Sequence, residues 1–482
     1  MNAFKICEAA AFIHPVRTRM PFRFGIAEIR QIPHIFVRVT LENKGRQAIG
    51  TAADHLMPKW FTKNPQTTCR EDILELMATA ATACDVARSA AAEPTPFRLW
   101  WSIYHEQARR AQAKHVPPLL ASFGASLIER ALIDAFCRLD NVPFHAALRE
   151  NRLGMDLGQI YPELHGTHPA AVLPPAPAAS IKVRHTVGLG DPLLDADLTS
   201  GNSPEDDLPV SLEACIREYG ITSFKIKISD HTARNIDRLE AITAVLEKSL
   251  PGSYSFTLDG NESYQSIEAF ADFWESLRAA PGMRPRLEHL LFVEQPLHRS
   301  VALSPDGIGR FLSLPGAPRV IIDESDATLD TLPLALDCGY AGTTHKNCKG
   351  VFKSVANLAL LQHRYGDPSQ YVFSGEDLTN IGPIALLEDL CVAQSLGLDN
   401  IERNGHHYFR GLSNFPRQTW EPLLAAHADL YRQLPDGCPA LRIEKGLIHG
   451  TSLHRVGLGP AFALDLDAFT PLEEWSPDSL EA

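Results

Sequence analysis

The chain has 482 residues, 45% hydrophobic and 21% charged, the composition of a globular protein large enough for two or three structural units. A formal net charge of −13 argues against nucleic acid or an anionic membrane as partner, so an anionic substrate must be met by local lysines, arginines or a bound metal. No run approaches the ~18 apolar residues of a membrane span, MNAFKICEAAAFIHPVR lacks a signal-peptide pattern, and nine dispersed cysteines without a CxxC pair suit reduced thiols in a cytoplasmic protein.

In chain order, IFVRVTL (Ile35 to Leu41) reads as a strand, followed by the turn NKGRQ. From Arg70 to about Leu148 the pattern is helical and Ala-rich, and ASLIERALIDAFCRL places apolar residues at helical spacing. These segments predict an N-terminal α+β unit over 1–167. The Pro/Ala-rich HPAAVLPPAPAAS, 168–180, has little to pack and reads as a connector.

From 181 to 410 the rhythm changes. Eight short apolar runs alternate with helical stretches: IKVRHTVG, SFKIKI, SFTLDGN, LLFVEQP, VIIDES, GTTHK, YVFSG and DNIERN. That alternation predicts a parallel β/α barrel. A doubly wound sheet is the alternative, but no GxGxxG follows any of the runs. The tail, 411–482, has hairpin-like turns and is expected to return to the first unit.

Polar residues recur at the ends of the apolar runs. Asp259 closes SFTLDGN with Asn261 just beyond, Glu294 closes LLFVEQ, Asp323 and Glu324 close VIIDE, and Lys346 closes GTTHK. In a β/α barrel the C-terminal strand ends share one rim, where the chemistry sits. Carboxylates there repel one another unless a cation joins them, and hard oxygen donors from Asp259, Glu294 and Asp323 suit Mg²⁺. SFKIKI places Lys225 and Lys227 on one face of its strand. Lys227 and Lys346 would then reach the metal from opposite sides of the barrel mouth. Burial, a neighbouring ammonium and a dication all disfavour a charged lysine, and a neutral one can serve as a general base.

The series FKIKI, LDGN, VEQP, IDES and THKNCKG resembles the enolase superfamily, in the mandelate racemase/muconate lactonizing enzyme family and its lysine-pair, dipeptide epimerase-like branch. PFRFGI, ALIDAFCRLDNVPFHAALREN and GLGPAFALD look like the family's cap and closing segments, so the resemblance covers nearly the whole chain. It implies a modified TIM (β/α)7β barrel with an N-terminal α+β capping domain completed by the C-terminal segment. It also implies Mg²⁺ on Asp259, Glu294 and Asp323, acid/base lysines at Lys227 and Lys346, and Lys225 tuning the first of them. A dimer or octamer is the family habit. YVFSGED carries no His at the mandelate racemase position. The chain departs from the pattern in longer segments around Glu294 and one glycine in THKNCKG. At IERN it has Glu402 and Asn404 where dipeptide epimerases carry two aspartates, which counts against dipeptides.

Each residue has a plainer reading. A lone acid at a strand end is more often a turn or cap residue, but three in order between two lysine strands favour a metal. Lys349 rivals Lys346 as the base. Glu324 is a ligand or, preferably, an outer partner orienting a lysine; Asn261 braces the metal shell or turns the chain; Glu402 is a substrate candidate. Adjacent His406 and His407 are expected on a solvated loop, and His165 lies next to the connector. The expected activity is Mg²⁺-dependent removal of the proton α to a small-molecule carboxylate, giving racemisation, epimerisation or cycloisomerisation. A lyase dehydrating an acid sugar and a non-catalytic scaffold are the alternatives. The specificity region is expected near Phe24 and Trp60.

Overall fold

The computed structural model describes residues 3–24, 27–198, 204, 206–304 and 307–480. Its first layer is an antiparallel sheet of β1 (Lys5–Phe24), β2 (Ala27–Asn43) and β3 (Arg46–His55). Along β2, Ile35, Val37, Val39 and Leu41 are buried while Arg38, Thr40 and Glu42 between them are not, the period-two pattern of a sheet with one covered face. Helices α1 (Cys69–Ser89), α2 (Pro96–Ala113) and α3 (Pro118–Leu139) follow it. A Thr68–Glu71 capping box starts α1, and Thr95 caps α2. The α3 helix is buried almost all round and runs across β3. At Gly50 of β3, a Cβ would stand 2.1 Å from the Ala131 carbonyl oxygen, so only glycine permits that approach.

Eight parallel strands then form the barrel: β4 (Ser180–Val187), β5 (Ser223–Lys227), β6 (Ser255–Asp259), β7 (Leu290–Glu294), β8 (Val320–Ile321), β9 (Gly342–His345), β10 (Val372–Gly375) and β11 (Asn400–Arg403). They neighbour one another in chain order. β11 pairs with β4, and a bridge between Ile322 and Thr343 joins β8 to β9 and closes the ring. The eight apolar runs of the sequence are these eight strands. Outside them pack α4 (Leu212–Tyr219), α5 (Thr232–Ser249), α6 (Ile267–Ala279), α7 (Thr331–Asp337), α8 (Val351–Tyr365) and α9 (Ala385–Ser395). Beyond the barrel, Leu447–His449 runs antiparallel to the start of β4, and Thr470–Pro471 pairs with Phe12 and Ile13 of β1.

Cap and barrel are joined by buried charge. The Arg130 guanidinium on α3, fully buried, donates to Asp54 (2.8 Å), to Glu388 of α9 (3.0 Å) and to the Ala53 carbonyl (2.8 Å). One residue earlier, Glu129 accepts the Phe352 backbone N–H at 2.6 Å, and burial pushes its carboxyl up to about 8. Removing one member of such a network strands the others in a low dielectric. Arg130→Met is expected to cost about 3–5 kcal/mol, read as a lower urea midpoint. A midpoint within experimental error of the parent would show that Asp54 and Glu388 do not depend on Arg130.

Candidate active site

The C-terminal ends of the strands carry a dense buried array. Lys225, the third residue of β5, projects into the barrel, and its ammonium lies 2.8 Å from Glu294 at the end of β7 and 2.8 Å from Glu402 of β11. It is also 2.9 Å from Glu376, just past β10, and 3.0 Å from Asp259 at the end of β6. Two residues on, Lys227 has its ammonium 2.5 Å from Asp259. Across the barrel, Lys346, just past β9, sits 2.5 Å from Asp323 and 2.9 Å from Glu376. Since the strands follow chain order around the ring, β5 and β9 are four places apart, diametrically opposed. The strand geometry thus puts Lys225 and Lys227 on the same inward face, as the alternation in SFKIKI predicts.

Five carboxylates (Asp259, Glu294, Asp323, Glu376 and Glu402) and five cations (Lys225, Lys227, Lys346, Lys349 and Arg184) are linked by direct ion pairs. Burial opposes the charge on Lys225 and Lys346, yet the surrounding carboxylates hold both pKa values well above the usual lysine range. Burial also opposes ionisation of Asp323, but Lys346 and Lys349 hold it below the usual range. Glu294 is different: burial, with Asp259 and Glu376 nearby, pushes it well up.

Among the described residues, the oxygen donors that approach within 4.8 Å of one another belong to Glu294, Asp323 and Glu376. Asp259 stands outside that triad and joins it through Lys225. Glu294 Oε2 is buried without a hydrogen-bond partner. Three convergent hard oxygens, one of them on a carboxyl with an unpartnered atom, fit Mg²⁺.

The other candidates are placed around this centre. Asn261 donates to Glu324 (3.1 Å) and its backbone N–H to Asp259 (2.8 Å). Glu324 is not among the three convergent acids, and its carboxyl is raised to about 7 by burial and by Asp323, Glu262 and Asp259. Glu402 accepts from Thr186 at 2.6 Å. Lys349 lies behind Asp323, 2.7 Å from it and from Thr344, whereas Lys346 faces the pocket. His406 and His407 are buried, contrary to the solvated loop expected, because the turn after β11 folds inward against β4 and α4. Glu376 was missed by the sequence reading. It closes the run YVFSG as the other acids close theirs, and the same rule finds it once that segment is read for acids as well as for histidine.

A pocket of about 40 Å³ lies over the array, room for a few waters only. Lys225, Lys227, Asp259, Asn261, Lys346, Glu402 and Asn404 form its polar side. Phe22, Phe24, Met57 and Trp60 of the cap, with Leu378, form an apolar roof. The Lys346 ammonium stands 4.9 Å from the Trp60 ring centroid, a cation–π contact.

Solved structures share this architecture. A mandelate racemase/muconate lactonizing protein from Herpetosiphon aurantiacus aligns with TM-score 0.59 at 15% identity, over 94% of this chain and 98% of its own. An N-succinyl Arg/Lys racemase from Bacillus cereus aligns with TM-score 0.59 at 14% identity, over 97% and 98%. The chain has the enolase-superfamily fold. A third bearer of that fold, a dipeptide epimerase from Enterococcus faecalis complexed with Mg and the dipeptide L-Leu-L-Tyr, aligns with TM-score 0.59 at 13% identity, over 94% and 99%. No protein-family model and no curated protein matches the sequence.

Glu376 is expected to matter for the metal. Glu376→Gln should weaken Mg²⁺ binding about 10–100-fold by isothermal titration calorimetry, and an affinity equal to the parent's would remove Glu376 from the donor set.

Proposed function

We propose that this chain is a Mg²⁺-dependent enzyme that removes the proton α to the carboxylate of a small molecule and returns it, acting as a racemase, epimerase or cycloisomerase. The observation that carries the reading is the pair of lysines on opposite strands, Lys227 on β5 and Lys346 beside β9, facing one pocket across a cluster of strand-end carboxylates. The enolase superfamily is known for a Lys or His base with Mg²⁺, and neighbours of the same fold are named as racemases and epimerases.

Glu294 and Asp323, with Glu376 or Asp259, would hold the metal. Bound there, Mg²⁺ supplies fixed charge for the substrate carboxylate as its α-carbon loses a proton. Lys227 Nζ and Lys346 Nζ are placed to take that proton from one face and deliver one to the other. Lys225, held by four carboxylates, keeps those acids in register and adds positive charge beside Lys227. The cap roof of Phe22, Phe24, Met57 and Trp60 keeps water out. Its apolar character fits a carboxylate with an apolar side group better than a polyhydroxylated acid sugar, which favours isomerase over dehydratase.

Incubation in D₂O with Mg²⁺ and a panel of apolar α-substituted carboxylates should give recovered substrate carrying deuterium at the α-carbon. A keto product formed with loss of water would replace this reading by the lyase, and no exchange with any carboxylate would leave a scaffold. Lys346→Met should abolish exchange from one face and leave Mg²⁺ binding at or above the parent's level, because an ammonium competing for Asp323 and Glu376 is gone. Loss of Mg²⁺ binding in that variant would contradict the roles assigned here.

A further inference from the structure

A second cluster lies away from the carboxylates, at the first strand of the barrel. His185 is on β4, Cys215 on α4 and His407 in the turn after β11, and all three are buried. One ligand atom from each lies within 4.8 Å of the other two. We propose that His185, Cys215 and His407 form a zinc site, a structural clamp joining β4, α4 and the exit of β11.

The three residues supply three of the four ligands of a tetrahedral site. Cys215 Sγ and His407 Nδ1 are 3.6 Å apart. Zinc bonds of ~2.3 Å to sulfur and ~2.0–2.1 Å to nitrogen at the tetrahedral angle give an S···N edge of about 3.5 Å. The His185 and His407 rings meet edge to face with centroids 5.1 Å apart. His185 Nδ1 shares a hydrogen bond of 3.2 Å with His406 Nε2, which would orient the ring for a metal at its Nε2. His406 Nδ1 is itself buried without a partner.

The chemistry of the set selects the ion. One thiol and two imidazoles are borderline-soft donors that suit zinc and fit Mg²⁺ poorly. The rings are available as ligands, because burial pulls His185 down to about 4 and His407 well below its usual range. On binding, the Cys215 thiol proton leaves to solvent and the thiolate takes its place on the metal. Arg19, whose charge acts on Cys215 and His407, is held by Asp206 at 2.6 and 2.7 Å and donates to the His407 carbonyl at 2.9 Å, so its charge is already paired.

The position gives the clamp a consequence. His185 precedes Thr186, whose hydroxyl holds Glu402, and Glu402 lies five residues before His407. An ion here would stiffen the side of the active site that carries Glu402 without touching the Mg²⁺ donors.

The test uses the full chain. Cobalt(II) titrated into metal-free protein should give a thiolate-to-cobalt charge-transfer band with tetrahedral visible bands. Zinc should displace it, with about one equivalent bound. The band should vanish in Cys215→Ser and persist in Glu294→Gln, separating this site from the carboxylate site. Zinc should also raise the thermal midpoint of the parent but not of Cys215→Ser. Absence of the thiolate band in the parent, or its persistence in Cys215→Ser, would overturn the proposal, and the parent spectrum decides even if the variant misfolds. His407→Gln serves as a second variant expected to lose the band.

Discussion

The site depends on the burial of equal numbers of acidic and basic side chains on one ring of strand ends. Lys225 is its hub. An ammonium touching four carboxylates from four strands is tolerated inside a barrel only because each charge faces another at hydrogen-bond distance. The same contacts hold the acids close enough for two or three of them to share a cation. One set of residues therefore holds these strand ends together, and a ligand that adds charge among them shifts the proton affinities of its neighbours.

The cap completes this arrangement. Residues of β1 and of the segment after β3 lay an apolar roof on the lysines, with Trp60 facing Lys346, while α3 reaches the other way to fix the cap on the barrel through Arg130, Asp54 and Glu388. A roof anchored by a buried ion-pair network leaves space for water but little else, so a substrate has to displace cap side chains. Phe22, Phe24, Met57 and Trp60 line the pocket from the cap, and the charged residues line it from the barrel.

The barrel was legible in the sequence because its strands are short, apolar and mostly closed by a polar residue, and the alternation of SFKIKI announced a strand with two inward lysines. The fold follows from such local signals, which need no knowledge of partners. The balance of charge did not show. That Lys225 would meet four acids, and that Asp259 would be tied to lysines while Glu376 joined Glu294 and Asp323, are consequences of ring closure, where residues 151 to 177 positions apart in sequence meet. His406 and His407 were misjudged for the same reason. Adjacent histidines in a turn carry no sign of burial until β4 and α4 are placed against them.

The central claim is that strand-end acids of this barrel grip one divalent ion between two lysines. An anomalous difference map from crystals soaked in Mn²⁺ with an apolar carboxylate tests it directly. The account predicts a single strong peak within ligand distance of Glu294 and Asp323, with the carboxylate on it and Lys227 and Lys346 on its two sides. A peak elsewhere, or acids still wholly occupied by Lys225 with no ion among them, would contradict it.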